Sequence, residues 1–572
     1  MTINKKDMIR FLEEIALYLE IKGENPFRIA AYRKAAQGLE RDVRSLNEID
    51  DFTTIEGIGK GTNELIVEYI ETGESSLLVE LKKEIPATLL PLLKIPGLGG
   101  KRISTLYKEL DIVDRDSLKE ACLNGAILSI RGFGKKTVEN ILEGLENQEA
   151  RPERLPVHYM LRLADEIESY LKTIPQIEQF SLAGSLRRLR ETIKDIDFII
   201  ATEEVAAVKQ ALLAMDNVKD TIAAGDTKIS ITLADEYNVN VDFRLVSNDE
   251  YATTLHHFTG SKEHNVLMRQ LAKERKEKIN EYGVTDEESG EIIHFPSEKD
   301  FFNHFELAYI SPELRQGNQE LEKIKKMSDL IELKDIYGDL HMHTTWSDGA
   351  NSLEEMVQAA EKRGYNYIAI TDHSKYLRVA NGLDEKRLLE QAEEINRLNE
   401  KYRNIHIFAG VEMDILPNSD LDFSDDFLKE MDWVIAAIHS SFNQTEAEIM
   451  KRIQAACENP YVDVIAHPTG RLIGKRESYA INMEELLELA AKTNTALELN
   501  ANPMRFDLSP EWLAKAQEAD IPIAINTDAH QIKTLSHMEY GVKVARQAWL
   551  EKDTVINSWD LERIKKFSMR NK

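Results

Sequence analysis

The chain has 572 residues, of which 42% are hydrophobic, so it is long enough for several domains with separate cores. No run is long and apolar enough to cross a membrane, and the first residues lack the apolar segment of a secretory signal. Two cysteines exclude a disulfide framework, which favours a reducing, cytoplasmic location. The net charge of −28 argues against a broad nucleic-acid-binding surface, so any binding of phosphate has to be local or made by backbone amides.

The first 150 residues have a helical pattern that begins with an amphipathic helix and is interrupted by three similar glycine turns. The turns are IEGIGKGTNELI (55–66), IPGLGGKRISTL (95–106) and IRGFGKKTVENI (130–141). Each exposes consecutive N–H groups at a helix N-terminus, where an anion is favoured. A glycine that merely ends a helix explains one such turn equally well, but three in one context favour phosphate binding. The candidate residues are Gly57, Gly59, Gly97, Gly99, Gly132 and Gly134, with Lys60, Lys101, Arg102, Lys135 and Lys136.

From about residue 151 the pattern changes to strands and helices. The runs FSLAGS, DIDFIIAT, KISITLA and NVNVDFRLV predict an antiparallel or mixed sheet of the α+β class. Asp195 and Asp197 are two residues apart on one strand, and Asp242 alternates with apolar residues on another, so the three carboxylates could share one face. Crowded carboxylates repel unless cations lie between them, and hard oxygen ligands suit Mg²⁺ or Mn²⁺. An isolated Asp-x-Asp is more often only a solvated strand face.

The upstream segment LAGSLRRLRETIKDID favours a metal site over a solvated strand face. Gly184 and Ser185 open a turn after a strand, and Arg187 and Arg188 follow them. Backbone amides, a hydroxyl and guanidinium groups beside carboxylates are typical of a phosphate site. Two metal ions there could hold a triphosphate and activate an attacking hydroxyl.

Over roughly the first 317 residues the sequence resembles the family X DNA polymerases, relatives of DNA polymerase beta in the nucleotidyltransferase superfamily. The glycine turns resemble helix-hairpin-helix motifs, which implies sequence-independent binding to the DNA backbone. The resemblance implies that Asp195, Asp197 and Asp242 are the palm metal ligands, and that Asp242 activates the primer 3′ hydroxyl. It implies that Gly184, Ser185 and Arg188, assisted by Arg154, hold the incoming triphosphate. Residues 256–284 resemble the thumb, with His257, Phe258 and Gly260 against the nucleotide sugar and Asn265 and Arg269 at the minor-groove edge of the nascent pair.

Two positions depart from the family pattern. Leu65 stands where lyase-competent members have a Schiff-base lysine, and an apolar side chain cannot form an imine, so we predict no deoxyribose-phosphate lyase of that type. His257 stands where the usual Tyr-Phe pair has tyrosine, which leaves sugar discrimination open.

After residue 335, seven short apolar runs alternate with helical stretches and predict a parallel α/β barrel. The runs are YGDLHMH, NYIAIT, IHIFAG, WVIAAIH, VDVIAH, TALELN and IPIAIN. A lone buried histidine is usually a core residue, but imidazoles or acids end nearly every run, and such ends converge on one face of a barrel. Imidazole mixed with carboxylate fits Zn²⁺, Mn²⁺ or Fe²⁺ better than Mg²⁺.

The motifs DLHMHTTWSDG, TDHS, GVEMDI, AIHSSF, IAHP and NTDAH resemble the PHP (polymerase and histidinol phosphatase) phosphoesterase family over residues 335–572. The resemblance implies an active, trinuclear cluster of Zn²⁺ and/or Mn²⁺. Its ligands would be His341, His343, Asp348, His373, Glu412, His439, His467, Asp528 and His530. Asp348 lies beyond its strand and is the least securely placed of them. We expect Arg471 and Arg505 to hold the phosphate.

The predicted architecture is therefore multidomain: an all-α helix-hairpin-helix region, an α+β nucleotidyltransferase palm with a thumb, and a C-terminal (βα)7 PHP barrel. The predicted divisions are a helical domain (1–85), a fingers-like domain (86–150), palm (151–245), thumb (246–317), linker (318–334) and barrel (335–572).

This architecture predicts a gap-filling DNA polymerase for repair, which acts as a monomer on gapped or primed duplex with dNTPs. The barrel would remove nucleotides as a 3′-5′ exonuclease, and its chemistry would also allow cutting at abasic sites. Two alternatives stay open. One is a small-molecule phosphatase fused to a nucleotidyltransferase, with structural hairpins, and the other is a DNA-binding scaffold with dead active sites.

Overall fold

A computed structural model of the chain describes residues 5–42, 46, 49, 51–95, 98–150, 152–317, 320–326 and 329–571. The chain divides into two compact units, Met1–Glu153 and Arg154–Lys572. Within the described residues, every helix is too short or too polar to span a lipid bilayer.

The first unit is all helical, as predicted. Its α-helices are α1 (Lys5–Lys22), α2 (Pro26–Arg41), α3 (Lys60–Thr72), α4 (Ser76–Glu84), α5 (Gly100–Leu110), α6 (Arg115–Leu123) and α7 (Lys135–Ala150). Short 3-10 helices, Phe52–Thr54, Ala87–Lys94 and Ala126–Ser129, precede α3, α5 and α7. The predicted apolar face of α1 is buried, with Leu12, Ile15 and Leu19 at most 1% exposed. Burial of such faces in one shared core gives these helices most of their stability.

The second unit begins with a mixed five-stranded sheet, which confirms the α+β prediction. Its elements are β1 (Leu155–Pro156), α8 (Val157–Leu171), β2 (Gln179–Leu182), α9 (Gly184–Arg187), β3 (Thr192–Ile193), β4 (Ile196–Ala201), α10 (Val205–Leu213), β5 (Val218–Ala224), β6 (Lys228–Leu233) and β7 (Asn240–Val246). The strand order is β2-β4-β7-β6-β5, and the β1–β3 pair forms a separate ribbon. Strand β5 was not predicted, because it is almost wholly exposed and carries no alternating apolar pattern.

A helical segment with a small three-stranded sheet follows. It contains α11 (Asn248–Thr259), α12 (Lys262–Glu274), β8 (Glu277–Ile279), β9 (Val284–Asp286), β10 (Ile292–Ile293), α13 (Glu298–His304) and α14 (Glu320–Lys326). The segment predicted as a linker packs against its neighbours where it is described. The fully buried Glu320 lies 2.9 Å from His264 Nδ1, and the Ile331 N–H donates to the Leu550 carbonyl.

All seven predicted strands of the C-terminal region are present, in one parallel sheet. The elements are β11 (Gly338–Asp339), α15 (Leu353–Lys362), β12 (Tyr367–Ile370), α16 (Glu385–Lys401), β13 (His406–Asp414), α17 (Asp425–Leu428), β14 (Trp433–Ala437), α18 (Glu446–Glu458), β15 (Val464–Ile465), α19 (Met483–Thr493), β16 (Ala496–Asn500), α20 (Pro510–Glu518), β17 (Ile523–Asn526), α21 (Met538–Gln547) and α22 (Leu561–Ser568). Neighbours pair in chain order from β11 to β17. A parallel bridge between Met342 and Ala529, just beyond the first and last strands, nearly closes the barrel.

Candidate active sites

The second glycine has the same local geometry in all three turns. Its carbonyl accepts hydrogen bonds from the N–H groups three and four residues later, so Gly59, Gly99 and Gly134 immediately precede α3, α5 and α7. Among the described residues, no atom lies within 4 Å of a Cβ built on any of these three glycines. The helix N-termini are therefore open to a phosphate, and the basic residues predicted beside them are exposed.

The first glycine of each turn has a different role. Gly57 and Gly132 have φ values of +95° and +98°, which L-residues with a side chain rarely adopt. Gly97, the corresponding residue of the second turn, lies outside the described residues. Leu65, in the helix after the first turn, is only 8% exposed and packs into the helical core.

The sheet brings the predicted palm carboxylates together. Asp197 on β4 is the direct partner of Asp242 on the parallel strand β7, and Asp195 lies just before β4. The alternation predicted for β7 is observed, because Val241, Phe243 and Leu245 are buried while the intervening residues are not. Burial, together with the carboxylates of Asp242 and Asp195, raises the pKa of Asp197 to about 7. This oxygen-rich donor set fits divalent cations, which would relieve the repulsion.

Strand β6 adds two contacts that were not predicted from the sequence. Ser230 Oγ donates to Asp242 Oδ1 at 2.6 Å, and Lys228 Nζ lies 2.8 Å from Asp242 Oδ2. Both residues alternate with apolar residues in KISITLA, so their shared face could be predicted. Their alignment with Asp242 depends on the pairing of β6 with β7.

The turn between β2 and β3 lies directly against these carboxylates. Gly184 has φ +64°, and a Cβ on it would overlap the Asp197 carboxylate. The Ala183 N–H donates to the Asp197 carbonyl at 2.8 Å, which ties the turn to β4. Ser185 follows Gly184 in α9. The structure therefore brings the glycine of this turn against the acids, and the serine is the next residue of the turn.

The two arginines of this turn have different roles, which corrects one expectation. Arg187 Nη1 donates to Thr259 Oγ1 at 2.7 Å and Nη2 pairs with Glu298 at 2.7 Å, so its guanidinium is committed to the segment after the sheet. Arg188 donates to the Thr259 carbonyl, and burial lowers its pKa to about 10. Of the two arginines, Arg188 is the one left as a candidate phosphate ligand.

Other predicted nucleotide-binding residues lie on α11, on α12 and between these two helices. Gly260 follows α11 with φ +66°, and a Cβ there would lie 3.2 Å from Arg188 Nη1. Phe258 packs 4.0 Å from the guanidinium of Arg244, which shares a face of β7 with Asp242. Asn265 Nδ2 donates to the His257 carbonyl at 2.7 Å, and burial lowers the pKa of His257.

Two further predicted residues lie nearby. Arg269 is one helical turn beyond Asn265 on α12. Arg154 Nε donates to Thr192 Oγ1 at 3.0 Å, three residues before Asp195. The structure thus holds Arg154 on the ribbon that leads into β4.

The barrel brings its predicted ligands together at the carboxyl ends of its strands. Eight of the nine form three groups whose ligand atoms lie within 4.8 Å of one another. The groups are His343, Asp348, His373 and His530; His341, His343 and Asp528; and His373, Glu412 and His439. Since His343 and His373 are each shared by two groups, the donor set fits three adjacent ions.

The ninth predicted ligand, His467, lies outside the three groups but contacts one of their members. His467 Nε2 lies 2.9 Å from Glu412 Oε1. Asp348, expected to be the least secure, lies 3.5 Å from His530 Nε2 and 3.7 Å from His373 Nε2. The loop after β11 therefore folds back over the strand ends, which its position in the sequence did not reveal.

The charges of this cluster are strongly perturbed. Burial, together with the neighbouring imidazoles of His530 and His373, lowers the pKa of His343 to about 3. Burial disfavours the charged form of His439, but Glu412 and Asp414 outweigh it and raise the pKa to about 10. A protonated imidazole cannot bind a metal ion, so His439 would lose its proton when a cation binds to this cluster.

Two buried acids behind the cluster were missed from the sequence. Glu498 Oε1 lies 2.7 Å from His341 Nδ1, and Asp414 Oδ1 lies 3.3 Å from His439 Nδ1. Acids in this position fix the orientation and tautomer of a metal-binding imidazole. Glu498 is an acid inside the apolar run TALELN, and a buried strand rarely carries a charge without a partner. This position in the sequence could have indicated that Glu498 pairs with a buried group.

Comparison with known proteins covers the whole chain. Family models match as a helix-hairpin-helix domain (3–75), a SAM-like helix-hairpin-helix tandem (89–147), a DNA polymerase beta thumb (254–316) and a PHP domain (339–502). The "DNA polymerase/3'-5' exonuclease PolX" of Bacillus subtilis (strain 168) is 56% identical over 569 residues, 100% of both chains. The chain belongs to the family X DNA polymerases that carry a PHP domain. The predicted family is thus confirmed.

Other relatives share a shorter part of this family X polymerase. A "Probable phosphatase" of Thermoanaerobacter sp. (strain X514) is 29% identical over 245 residues, 41% of this chain and 95% of the relative. A "Probable phosphatase" of Caldicellulosiruptor bescii is 28% identical over 229 residues, 38% and 90% of the two chains.

The two arginines expected to hold phosphate in the barrel differ in position. Arg505 Nε lies 3.7 Å from Asp528 Oδ2, beside the cluster. Arg471 instead pairs with Glu191 of the palm at 2.7 Å and donates to the carbonyls of Arg505 and Phe506. This corrects the expectation for Arg471, whose guanidinium joins the barrel to the palm of this family X polymerase.

Proposed function

We propose that the chain is a cytoplasmic, monomeric, gap-filling DNA polymerase of DNA repair whose barrel is a 3′-5′ exonuclease. The observation that carries the proposal is the pairing of Asp197 with Asp242 beside Gly184 and Ser185, in the same unit as the nine-residue cluster. The full-length similarity to a relative named for both activities supports it.

In the palm, the carboxylates of Asp195, Asp197 and Asp242 would hold Mg²⁺ or Mn²⁺. Bound cations would stabilise the charge that develops on the phosphate oxygens. Asp242 lies nearest the primer 3′ hydroxyl in this assignment and accepts its proton. Ser185 and Arg188, with the backbone at Gly184 and the side chain of Arg154, orient the triphosphate.

The thumb residues would position the rest of the nucleotide. His257, Phe258 and Gly260 form the surface for the sugar, and Asn265 and Arg269 contact the minor-groove edge of the nascent pair. The hydrogen bond from Asn265 to the His257 carbonyl supports this, because it couples the base-contacting side chain to the sugar-contacting one.

In the barrel, the nine-residue cluster would hold three ions, Zn²⁺ and/or Mn²⁺. These cations would supply the Lewis acidity for attack of water on the phosphodiester. Arg505 would bind the scissile phosphate, while Glu498 and Asp414 keep His341 and His439 oriented. Hydrolysis at abasic sites would use the same groups.

The open helix N-termini at Gly59, Gly99 and Gly134 would hold the duplex by its phosphates. Because backbone amides supply the contact, a net charge of −28 is compatible with DNA binding. Leu65 is apolar and buried, so we expect no lyase of the Schiff-base type. Borohydride trapping of enzyme on a 5′-deoxyribose phosphate end measures this directly, and a covalent adduct would contradict it.

A labelled, gapped duplex incubated with and without dNTPs tests both activities. We expect Asp197→Ala to abolish extension and leave degradation intact, and His343→Ala to do the reverse. Asp220→Ala on the exposed strand β5 and His406→Ala at the opposite end of β13 are the matched controls. Loss of both activities in each active-site variant would show that the two sites are not independent.

The similarity to proteins named probable phosphatases favours a second candidate for the barrel, a small phosphate monoester. Assays of one enzyme preparation on both kinds of substrate distinguish the exonuclease from the phosphatase. Hydrolysis of a free monoester such as p-nitrophenyl phosphate, with no release of nucleotides from DNA, would replace the exonuclease assignment.

A further inference from the structure

The last turn of a barrel helix contacts the palm turn that was assigned to the triphosphate. Gln547, the final residue of α21, is half-buried and donates from Nε2 to two carbonyls of that turn. The distances are 3.0 Å to the Arg188 carbonyl and 3.2 Å to the Leu189 carbonyl. A side chain of the PHP domain therefore reaches the backbone beside the palm carboxylates.

The two carbonyls belong to a turn that needs external support. Helix α9 ends at Arg187, so the carbonyls after it have no intrahelical partner. Leu189 is buried and has φ +54°, a left-handed conformation that is unfavourable for an L-residue with a side chain. Such a conformation persists only where its surroundings hold it. Gln547 supplies this support through both carbonyls.

The supported end of the turn is coupled to its functional end. The Arg190 N–H donates to the Ser185 carbonyl at 3.1 Å, and Gly184 lies against Asp197 at the start of the same turn. Gln547 donates to the carbonyl oxygen of Arg188, which is two bonds from the Cα of the same residue. The guanidinium side chain starts at that Cα. A shift of this backbone would move Ser185 and Arg188 relative to the carboxylates.

The end of α21 is itself fixed, so Gln547 is a rigid donor. The preceding residue, Arg546, pairs from Nε with Glu313 at 2.6 Å. Its Nη1 donates to the Ile331 carbonyl at 2.9 Å and its Nη2 to Ser311 Oγ at 3.0 Å. The helix end is thereby held by the last residues of the thumb and by the segment that follows them.

We propose that Gln547 is a positioning residue of the polymerase reaction, supplied by the PHP barrel, which keeps Ser185 and Arg188 in place for the triphosphate. This inference rests on the proposed polymerase function. It means that the barrel is part of the nucleotide site, in addition to its own phosphoesterase centre.

Steady-state extension of a gapped primer in the full-length enzyme tests the proposal. We expect Gln547→Ala to raise the KM for dNTP about tenfold, because two neutral hydrogen bonds are lost, with kcat changed less than about twofold. Gln547→Glu keeps the shape but places a carboxylate against two carbonyls, so its KM should rise at least as much. Degradation of the 3′ end by the barrel should stay at the wild-type rate in both variants.

Gln517→Ala is the matched control. Gln517 Nε2 also donates to a backbone carbonyl, that of Trp549 at 3.1 Å, but its contacts lie within the barrel segment. We expect a wild-type KM for dNTP in this variant even where its melting temperature falls.

The outcomes separate the inference from the function on which it rests. A wild-type KM in Gln547→Ala and Gln547→Glu would overturn the role of Gln547. An equal loss of kcat, 3′ degradation and melting temperature in the Gln547 and Gln517 variants would also overturn it, because it would indicate a general structural role. Failure of the wild-type enzyme to extend any primer would overturn the polymerase assignment itself.

Discussion

A buried ion-pair network links the palm turn to the segment after it, and Glu298 is its centre. Glu298 Oε1 lies 2.6 Å from Arg315 Nη1, and Oε2 lies 2.7 Å from Arg187 Nη2. The side chain of Glu298 is 6% exposed and that of Arg315 is fully buried. Glu298→Gln keeps the shape but leaves two guanidinium groups without their counter-charge, which a buried cation tolerates poorly.

The magnitude follows from the pKa of the carboxyl. Burial alone would raise the pKa of Glu298, but Arg315 and Arg187 outweigh burial and lower it from 4.5 to about 2. At about 1.4 kcal/mol per pKa unit this gives about 3 kcal/mol of stability. Breaking a buried pair by removal of one partner typically costs a similar amount, about 3–5 kcal/mol.

The sign of the pH dependence is fixed by the lowered pKa. The stabilisation is fully present above pH 4.5 and is lost as the pH falls through about 2, because the folded state then has to take up the proton. The difference between wild type and Glu298→Gln should therefore be about 3 kcal/mol at pH 7 and about 1 kcal/mol at pH 3.

Amide hydrogen exchange of peptides that cover α13 and Arg315 measures this difference locally. We expect exchange through opening of this segment to be about 100-fold faster in Glu298→Gln at pH 7. Glu288→Gln is the control, since Glu288 pairs with Lys276 on the surface, where both side chains are about 70% exposed. Exchange within about threefold of wild type, or a difference that does not shrink at pH 3, would show that the charge of Glu298 does not stabilise this segment.

Three further substitutions test single contacts. Gly184→Ala forces a Cβ into the Asp197 carboxylate, so primer extension should fall at least about 100-fold while 3′ degradation persists. Extension of the gapped duplex within tenfold of the wild-type rate would argue against the polymerase site at these carboxylates. The Cβ of Gly134→Ala meets no atom within 4 Å among the described residues, so the melting temperature should stay unchanged while the affinity for duplex DNA, measured by fluorescence anisotropy, weakens several-fold. An unchanged Kd would exclude this turn as a phosphate contact. Glu498→Gln removes the charge beside His341 Nδ1, so the metal affinity measured by chelator competition should fall about 10- to 100-fold. An unchanged metal affinity would show that Glu498 does not orient His341 for metal binding.

Local patterns in the sequence predict most of the elements and the faces of their side chains. The seven barrel strands follow from short continuous apolar runs, because both faces of these strands are buried. The alternation of Asp242 with buried residues on β7 follows from the repeat of two in a strand. The repetition of imidazoles and acids at strand ends was sufficient to predict a cluster, because parallel strands in a barrel end on one face.

Which side chains contact one another depends on the tertiary structure. Arg187 and Arg188 are adjacent in the chain, yet Arg187 pairs with Glu298, 111 residues away, and Arg188 donates to the Thr259 carbonyl. Gln547 reaches Arg188 across 359 residues, and no local pattern marks it. Periodicity records the direction in which a side chain points, since that depends on neighbouring residues. A partner depends on strand register and domain packing, which are set by contacts between distant parts of the chain.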